Sequence, residues 1–247
     1  MPVNRRDFLK GSVAAGSFYL VGSRSRADGH PGETAWRSPS NGPPDYYVPI
    51  NPYLTADERR FVEAAIDRLI PEDELGPGAL RAGVADFIDY QLGGSYGRAE
   101  RWYMEGPWRD GSSAQGYQLR FTPAQLYRHC IPRVDDYCRD QFQGNAFHAL
   151  SDKDREAVLE RLSNGDVPLD IANNKTFFTI LWQNTREGFF ADPMYGGNRD
   201  FAGWRLAGFP GTRYNYSPQI TEHGKPTPTL PWAFWEDRVF RSRRCAE

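Results

Sequence analysis

The chain has 247 residues, with 30 Lys and Arg against 32 Asp and Glu. That near-balance excludes a nucleic-acid footprint, which needs a basic stripe to neutralise phosphates. Aromatic residues reach 14% while apolar types together make only 39%, so large ring contacts are expected to dominate the core and any interface; three cysteines exclude a disulfide scaffold.

Residues 1–27 read as an export address. Arg5 and Arg6 precede Phe8, Leu9 and Lys10, then an apolar run from Gly11 to Gly22 diluted with glycine, alanine and serine, the pattern of a bacterial twin-arginine signal. A membrane span needs about 20 consecutive apolar residues, and this run falls well short. Ser25-Arg26-Ala27 supplies a small-x-small cleavage pattern. The mature chain is expected to begin near Asp28 in the periplasm. It is mildly acidic, with 25 basic against 31 acidic residues once the signal is removed, and has no later run of transmembrane length.

Residues 28–54, rich in Pro, Gly and Ser, read as a strap over the surface. A helical domain is expected over 55–191. Thr55 and Glu58 form a capping box, after which Phe61, Val62, Ala65, Ile66 and Leu69 recur at helical spacing up to Pro71. Past the acidic loop Glu72-Asp73-Glu74, a second pattern of Leu80, Val84, Phe87, Ile88 and Leu92 stops at Gly93-Gly94, and residues 95–106 are expected to add a short helix. Thr122, Pro123 and Gln125 start a further helix with Leu126, Cys130, Val134, Tyr137, Cys138 and Phe142 inward and a kink at Pro132. Ser151 caps the next, with Val158, Leu159 and Leu162 inward and Gly165 ending it. The last runs from about Asn174 to Phe190. No alternating strand pattern competes, so the fold class is all-α, a bundle of five to six helices joined by short connections.

On one straight helix Cys130 and Cys138 stand roughly 12 Å apart, beyond the ~7 Å limit for a bridge. Two small buried thiols are therefore expected, and a disulfide only if the helix breaks at Pro132.

From Asp192 onward Gly and Pro recur too often for regular structure. Disordered segments are poor in aromatics, whereas this one holds Tyr195, Phe201, Trp204, Phe209, Tyr214 and Tyr216. It reads as an ordered arm, residues 192–247, whose rings dock on something. Trp204, Trp232 and Trp235 suit a protein interface first, plain core packing second and a sugar-stacking platform last.

The sequence offers little chemistry. The four histidines are scattered, with no HExxH, Cys-x-x-Cys or haem-attachment run. His129 beside Cys130 invites a nucleophile reading, but helix neighbours point about 100° apart, and a half-buried histidine is the expectation. No phosphate-cradling loop or nucleophile elbow occurs. An enzyme acting through Asp192, Arg186 and Glu187 is the least favoured alternative.

The segment "FFTILWQNTREGFFADPMYGGNRDFAGWRLAGFPG", Phe177 to Gly211, resembles the signature of the gluconate 2-dehydrogenase subunit 3 family, the small subunit of bacterial flavin-dependent sugar and sugar-acid dehydrogenases. The resemblance extends through the twin-arginine signal, "LYRHCIPRVDDYCRDQF" and "LSDKDREAVLERL". It implies an all-helical subunit that binds no cofactor itself. Its partner would be an FAD-containing large subunit of the glucose-methanol-choline type, often with a multihaem cytochrome c subunit carrying haem c. The complex would be peripheral to the inner membrane. The resemblance also implies that the small subunit carries the export signal for a partner lacking one and assists its maturation. No catalytic residue is carried over. Tyr195, Arg199, Trp204, Arg205, Phe209, Trp232 and Trp235 are the expected partner-binding residues, and a free-standing periplasmic carbohydrate-binding protein is the alternative.

Overall fold

The computed structural model describes residues 52–109, 111–112, 115–211, 217, 220–221 and 224. The signal with Arg5 and Arg6, the strap up to residue 51, and Trp232 and Trp235 lie outside the described residues. Six α-helices occur among them: α1 (Ala56–Leu69), α2 (Val84–Gly93), α3 (Pro123–Gln141), α4 (Asp152–Asn164), α5 (Lys175–Phe190) and α6 (Ala202–Ala207), with 3₁₀ turns at Phe147–Ala149, Pro193–Tyr195 and Arg199–Phe201. No strand occurs among the described residues, which bears out the all-α reading. No described helix is long and apolar enough to cross a membrane.

Local chemistry fixes where the helices start. The Thr55 hydroxyl accepts from the Glu58 N–H while the Glu58 carboxylate accepts from the Thr55 N–H, and Thr122 and Gln125 repeat the arrangement at α3. Each box satisfies two N–H groups that a helix start leaves unpaired. Ser151 caps α4, and Gly165, at φ 79°, closes it.

The helices gather around rings. Phe61 of α1 lies 4.8 Å from Phe147 and 6.2 Å from Phe177 of α5, and Tyr127 of α3 meets Phe177 edge-on at 5.5 Å. All four are fully buried. Side chains of this size remove large apolar areas from water, which lets a chain of modest aliphatic content build a core. A buried polar chain crosses it: the Tyr96 hydroxyl donates to Asn184 Oδ1 at 2.9 Å, and Asn184 Nδ2 donates to the Tyr127 hydroxyl at 3.0 Å. Burial pushes Tyr96 up to about 12 and raises Tyr127 as well, so both phenols stay protonated, Tyr96 as the donor and Tyr127 as the acceptor of the chain.

The structure corrects several expectations. Residues 95–106 form no helix. Gly97 folds back onto the end of α2, where an added Cβ would sit 1.8 Å from the Leu92 carbonyl oxygen, and its N–H donates to Gln91 O. A chain turned back on a helix end cannot continue as another helix. Leu80, expected on the inner face of α2, is exposed before the helix begins, because Gly83 at φ 76° makes the corner and delays α2 to Val84. Helix α3 runs without interruption from Pro123 to Gln141 through Pro132. Proline removes a donor there, and the Arg133 guanidinium donates to the neighbouring His129 carbonyl at 2.8 Å. With the helix unbroken, Cys130 and Cys138 are separate buried thiols, and burial pushes each up to about 12. His129 is half-buried as expected, its Nε2 donating to Leu169 O at 3.0 Å. The first part of the arm, expected to lack regular structure, is folded into the 3₁₀ turns and α6.

Candidate functional site

The run TREGFFADPMYGGN, residues 185–198, forms the last two turns of α5 and the start of the arm. Its glycines stand where backbones meet. A Cβ on Gly188 would lie 2.7 Å from Phe87 Cδ1 and 3.0 Å from Val84 Cγ1, so its absence lets α2 approach α5. A Cβ on Gly197 would lie 2.2 Å from Gly188 O, and one on Gly203 would lie 2.0 Å from Phe189 O. The arm therefore rests with its own backbone on the backbone of α5.

Asn198 fastens that contact. It is fully buried and left-handed at φ 48°, a conformation in which asparagine is tolerated better than most residues. Its Nδ2 donates to Ala191 O at 2.8 Å, and its Oδ1 accepts from the Gly203 N–H at 2.8 Å. Upstream, Asp192 Oδ1 accepts from the Met194 N–H at 3.0 Å and turns the chain out of α5. Gly196 at φ 94° supplies the turn expected of the glycine pair.

Arg199 binds the arm to α2. Its N–H donates to Ala82 O at 3.0 Å, its side chain crosses Gly83, and its guanidinium pairs with Asp86. Asp86 also receives Arg59 of α1 at 2.7 Å, and Arg59 holds Glu63 at 2.6 Å. The network joins α1, α2 and the arm through groups far apart in sequence.

The expected partner-binding residues thus divide. Tyr195 and Phe209 are exposed, at 46% and 42%, and Arg205 is exposed on α6. Arg199 is engaged within the fold. Trp204 is 5% exposed; its indole N–H donates to Phe190 O at 2.7 Å, and its ring stacks with Phe201 at 5.6 Å and meets Phe209 edge-on at 5.0 Å. A ring held this way pins the arm from inside. Two exposed residues were not expected here: Phe190 at 41% and Met194 at 36%. Phe190 and Phe209 flank α6, and Met194 with Tyr195 occupies the turn between α5 and α6. Exposed rings on rigid elements are the raw material of a docking surface. Of the third alternative's residues, Asp192 serves the turn, Glu187 accepts from Gln183 Nε2 at 2.8 Å, and Arg186 lies over the Trp182 ring.

Sequence reasoning missed the connection between α2 and α3, residues 94–122. It exposes Tyr103 at 81% and Trp108 at 41% and is ordered by its own rings, with Trp102 between Tyr96 and Tyr117 at 5.8 and 5.0 Å. The missed signal was length, since a connection without regular structure beyond about 15 residues is uncommon and usually functional. Among the described residues no three of His, Cys, Asp and Glu gather as metal ligands would.

Comparison with curated proteins and with solved structures gives no match. The family model of gluconate 2-dehydrogenase subunit 3 matches residues 56–211, from the start of α1 through the folded part of the arm. The chain belongs to that family, and the membership makes it a subunit of a gluconate 2-dehydrogenase-type complex.

Proposed function

We propose that the chain is a non-catalytic accessory subunit of a periplasmic FAD-dependent sugar or sugar-acid dehydrogenase. It docks on the flavin-carrying large subunit through Phe190, Met194, Tyr195 and Phe209. Its twin-arginine address exports the partner after FAD has been inserted in the cytoplasm. In this reading Arg205 lies at the rim, Trp232 and Trp235 extend the surface, and haem c belongs to a third subunit.

One observation carries the reading. Asn198, Gly197 and Asp192 of the family run, with Gly203 just beyond it, are engaged in closing the arm on α5, while Phe190, Met194 and Tyr195 stay at the surface. A run so arranged presents a surface; it does not aim functional groups at a substrate. The sugar-platform alternative asks for an open Trp204, and that ring is covered.

Tyr195→Ala with Phe209→Ala tests the docking. If these rings are anchors, the double variant should lose on the order of 2 kcal/mol or more of affinity for the large subunit, about 30-fold, with an unchanged circular dichroism spectrum. Unchanged affinity would remove the patch from the interface. Arg5→Lys with Arg6→Lys tests export: both chains should remain in the cytoplasm, and a periplasmic flavoprotein in that background would refute shared transport.

A further inference from the structure

A second face of the molecule, away from the arm in sequence, carries an unusual charge. Two adjoining clefts of about 490 and 530 Å³ share Arg120 and Phe121. Trp108 and Arg109 stand along the first, and Tyr53, Arg128 and Arg133 along the second. Four arginines thus converge on one groove of a chain that is acidic once its signal is removed.

Two of the four have carboxylate partners. Arg128 Nε meets the buried Glu58 at 2.8 Å, and Arg133 Nε meets Asp170 at 3.0 Å. Arg109 and Arg120 have none among the described residues, and both are exposed. Two rings of the groove carry guanidinium groups: that of Arg120 lies 5.1 Å from the Phe121 centroid and that of Arg128 4.7 Å from the centroid of Tyr53, while the His129 ring packs on Phe121 at 4.6 Å. A guanidinium held over a ring is oriented without being neutralised, which leaves Arg120, with no carboxylate partner among the described residues, as an oriented cation of the groove, while Arg128 is shared with Glu58.

Shape chooses among anions. A small-molecule site encloses most of its ligand, whereas this groove is two adjoining open clefts, with Arg109 along the first, Arg128 and Arg133 along the second and Arg120 shared by both. Such a surface fits an extended segment carrying several carboxylates, which arginines recognise in pairs. We infer that the groove formed by Arg109, Arg120, Arg128 and Arg133 with Trp108 and Phe121 binds an acidic, extended segment of a partner polypeptide, at a face separate from the aromatic surface of the arm. The inference uses only the family's membership in a multi-subunit complex, and it stands if docking through Tyr195 and Phe209 fails.

The probe is a fluorescein-labelled peptide of alternating Glu and Tyr, titrated by anisotropy into the mature protein at low salt, with a Gln-for-Glu peptide as control. The acidic peptide should bind and the Gln peptide should not. Arg109→Glu with Arg120→Glu should weaken binding by about tenfold or more, as for charge-complementary contacts, whereas Arg81→Glu with Arg98→Glu, an equal change of net charge, should not. If the groove variant folds poorly, Arg109→Gln with Arg120→Gln serves, with a smaller loss in the same direction. Equal weakening by the control pair would overturn the proposal, because the attraction would then be to overall charge. So would displacement of the peptide by gluconate or phosphate through saturable binding of their own, which would make this a small-anion site. Self-association of the protein that disappears in the groove variant would seat a second copy of this chain there, and would also overturn it.

Discussion

Asn198→Ala is the sharpest perturbation of the arm. It strands the buried Gly203 N–H and the part-buried Ala191 carbonyl, which Asn198 now satisfies at 2.8 Å each. Leaving a buried donor or acceptor without its partner costs about 1–3 kcal/mol, and holding alanine left-handed at φ 48° adds about 1–2 kcal/mol. With the part-buried Ala191 carbonyl open to water, the smallest combination is roughly 2 kcal/mol, a shift of about 30-fold in the equilibrium between closed and lifted arm. Asn198→Gly removes the same bonds without the left-handed penalty, so the difference between the two variants isolates the backbone contribution. Hydrogen exchange reads the result directly. The amides of Gly203, Trp204 and Phe209 should lose protection in both variants, more in the alanine one, while the core amides of α1 and α3 change little. Unaltered protection at Gly203 in Asn198→Ala would refute the fastening role.

Other expectations follow from single contacts. Gly188→Ala drives a methyl to within 3 Å of Phe87 and Val84 and should cost about 1–3 kcal/mol by overpacking, seen as a lower Tm in thermal denaturation. Cys130 and Cys138, both pushed up to about 12 by burial, should resist a thiol reagent at pH 8 in a Cys245→Ser background and react only when denaturant unfolds the chain; labelling of the folded protein at either position would contradict their burial. Burial raises Asp135 above the ordinary carboxylate range, although the Phe147 N–H bond opposes this. The folded state therefore binds that proton more tightly than the unfolded one, and stability falls as pH rises from the unfolded value through the raised one. Asp135→Asn keeps an oxygen acceptor for Phe147 and should raise Tm at pH 7, an advantage that shrinks toward acid pH; an equal effect at all pH values would refute the titration.

Elements whose cause is local were legible in the sequence. Thr55 with Glu58, Thr122 with Gln125, Ser151 and Gly165 act within three or four residues of themselves, so spacing alone locates α1, α3 and α4. What escaped depends on long-range contact. Whether the Trp204 ring faces in or out is decided by the approach of Gly203 to Phe189 O, which no periodicity within the arm encodes. Arg199 reads as a free surface cation until Asp86, 113 residues earlier, is brought beside it. The stop of α2 at Gly93-Gly94 was legible, but the short helix expected over 95–106 was not excluded by anything local, since Gly97 closes on Leu92 only once the chain has turned back on the helix end. The arginine groove was equally out of reach, because Arg109 and Arg120 come from the irregular connection and Arg128 and Arg133 from α3.

The arm makes physical sense as an extended cap. A helix leaves its last four carbonyls without intrahelical partners, and at the end of α5 the groups supplied come largely from beyond it. The Ala191 N–H donates to Glu187 O at 2.7 Å, the Trp204 indole to Phe190 O at 2.7 Å, and the Asn198 amide to Ala191 O at 2.8 Å. The carbonyls between, of Gly188 and Phe189, are covered by Gly197 and Gly203 at separations that admit no side chain. One device therefore settles two matters at once. It supplies donors to the Glu187, Phe190 and Ala191 carbonyls at the end of the central helix, which touches α1 to α4, and it fixes Phe190, Tyr195 and Phe209 to that rigid end. Rings held in place before a partner arrives lose little freedom on binding, so a family run without evident chemistry can still govern how firmly the complex assembles.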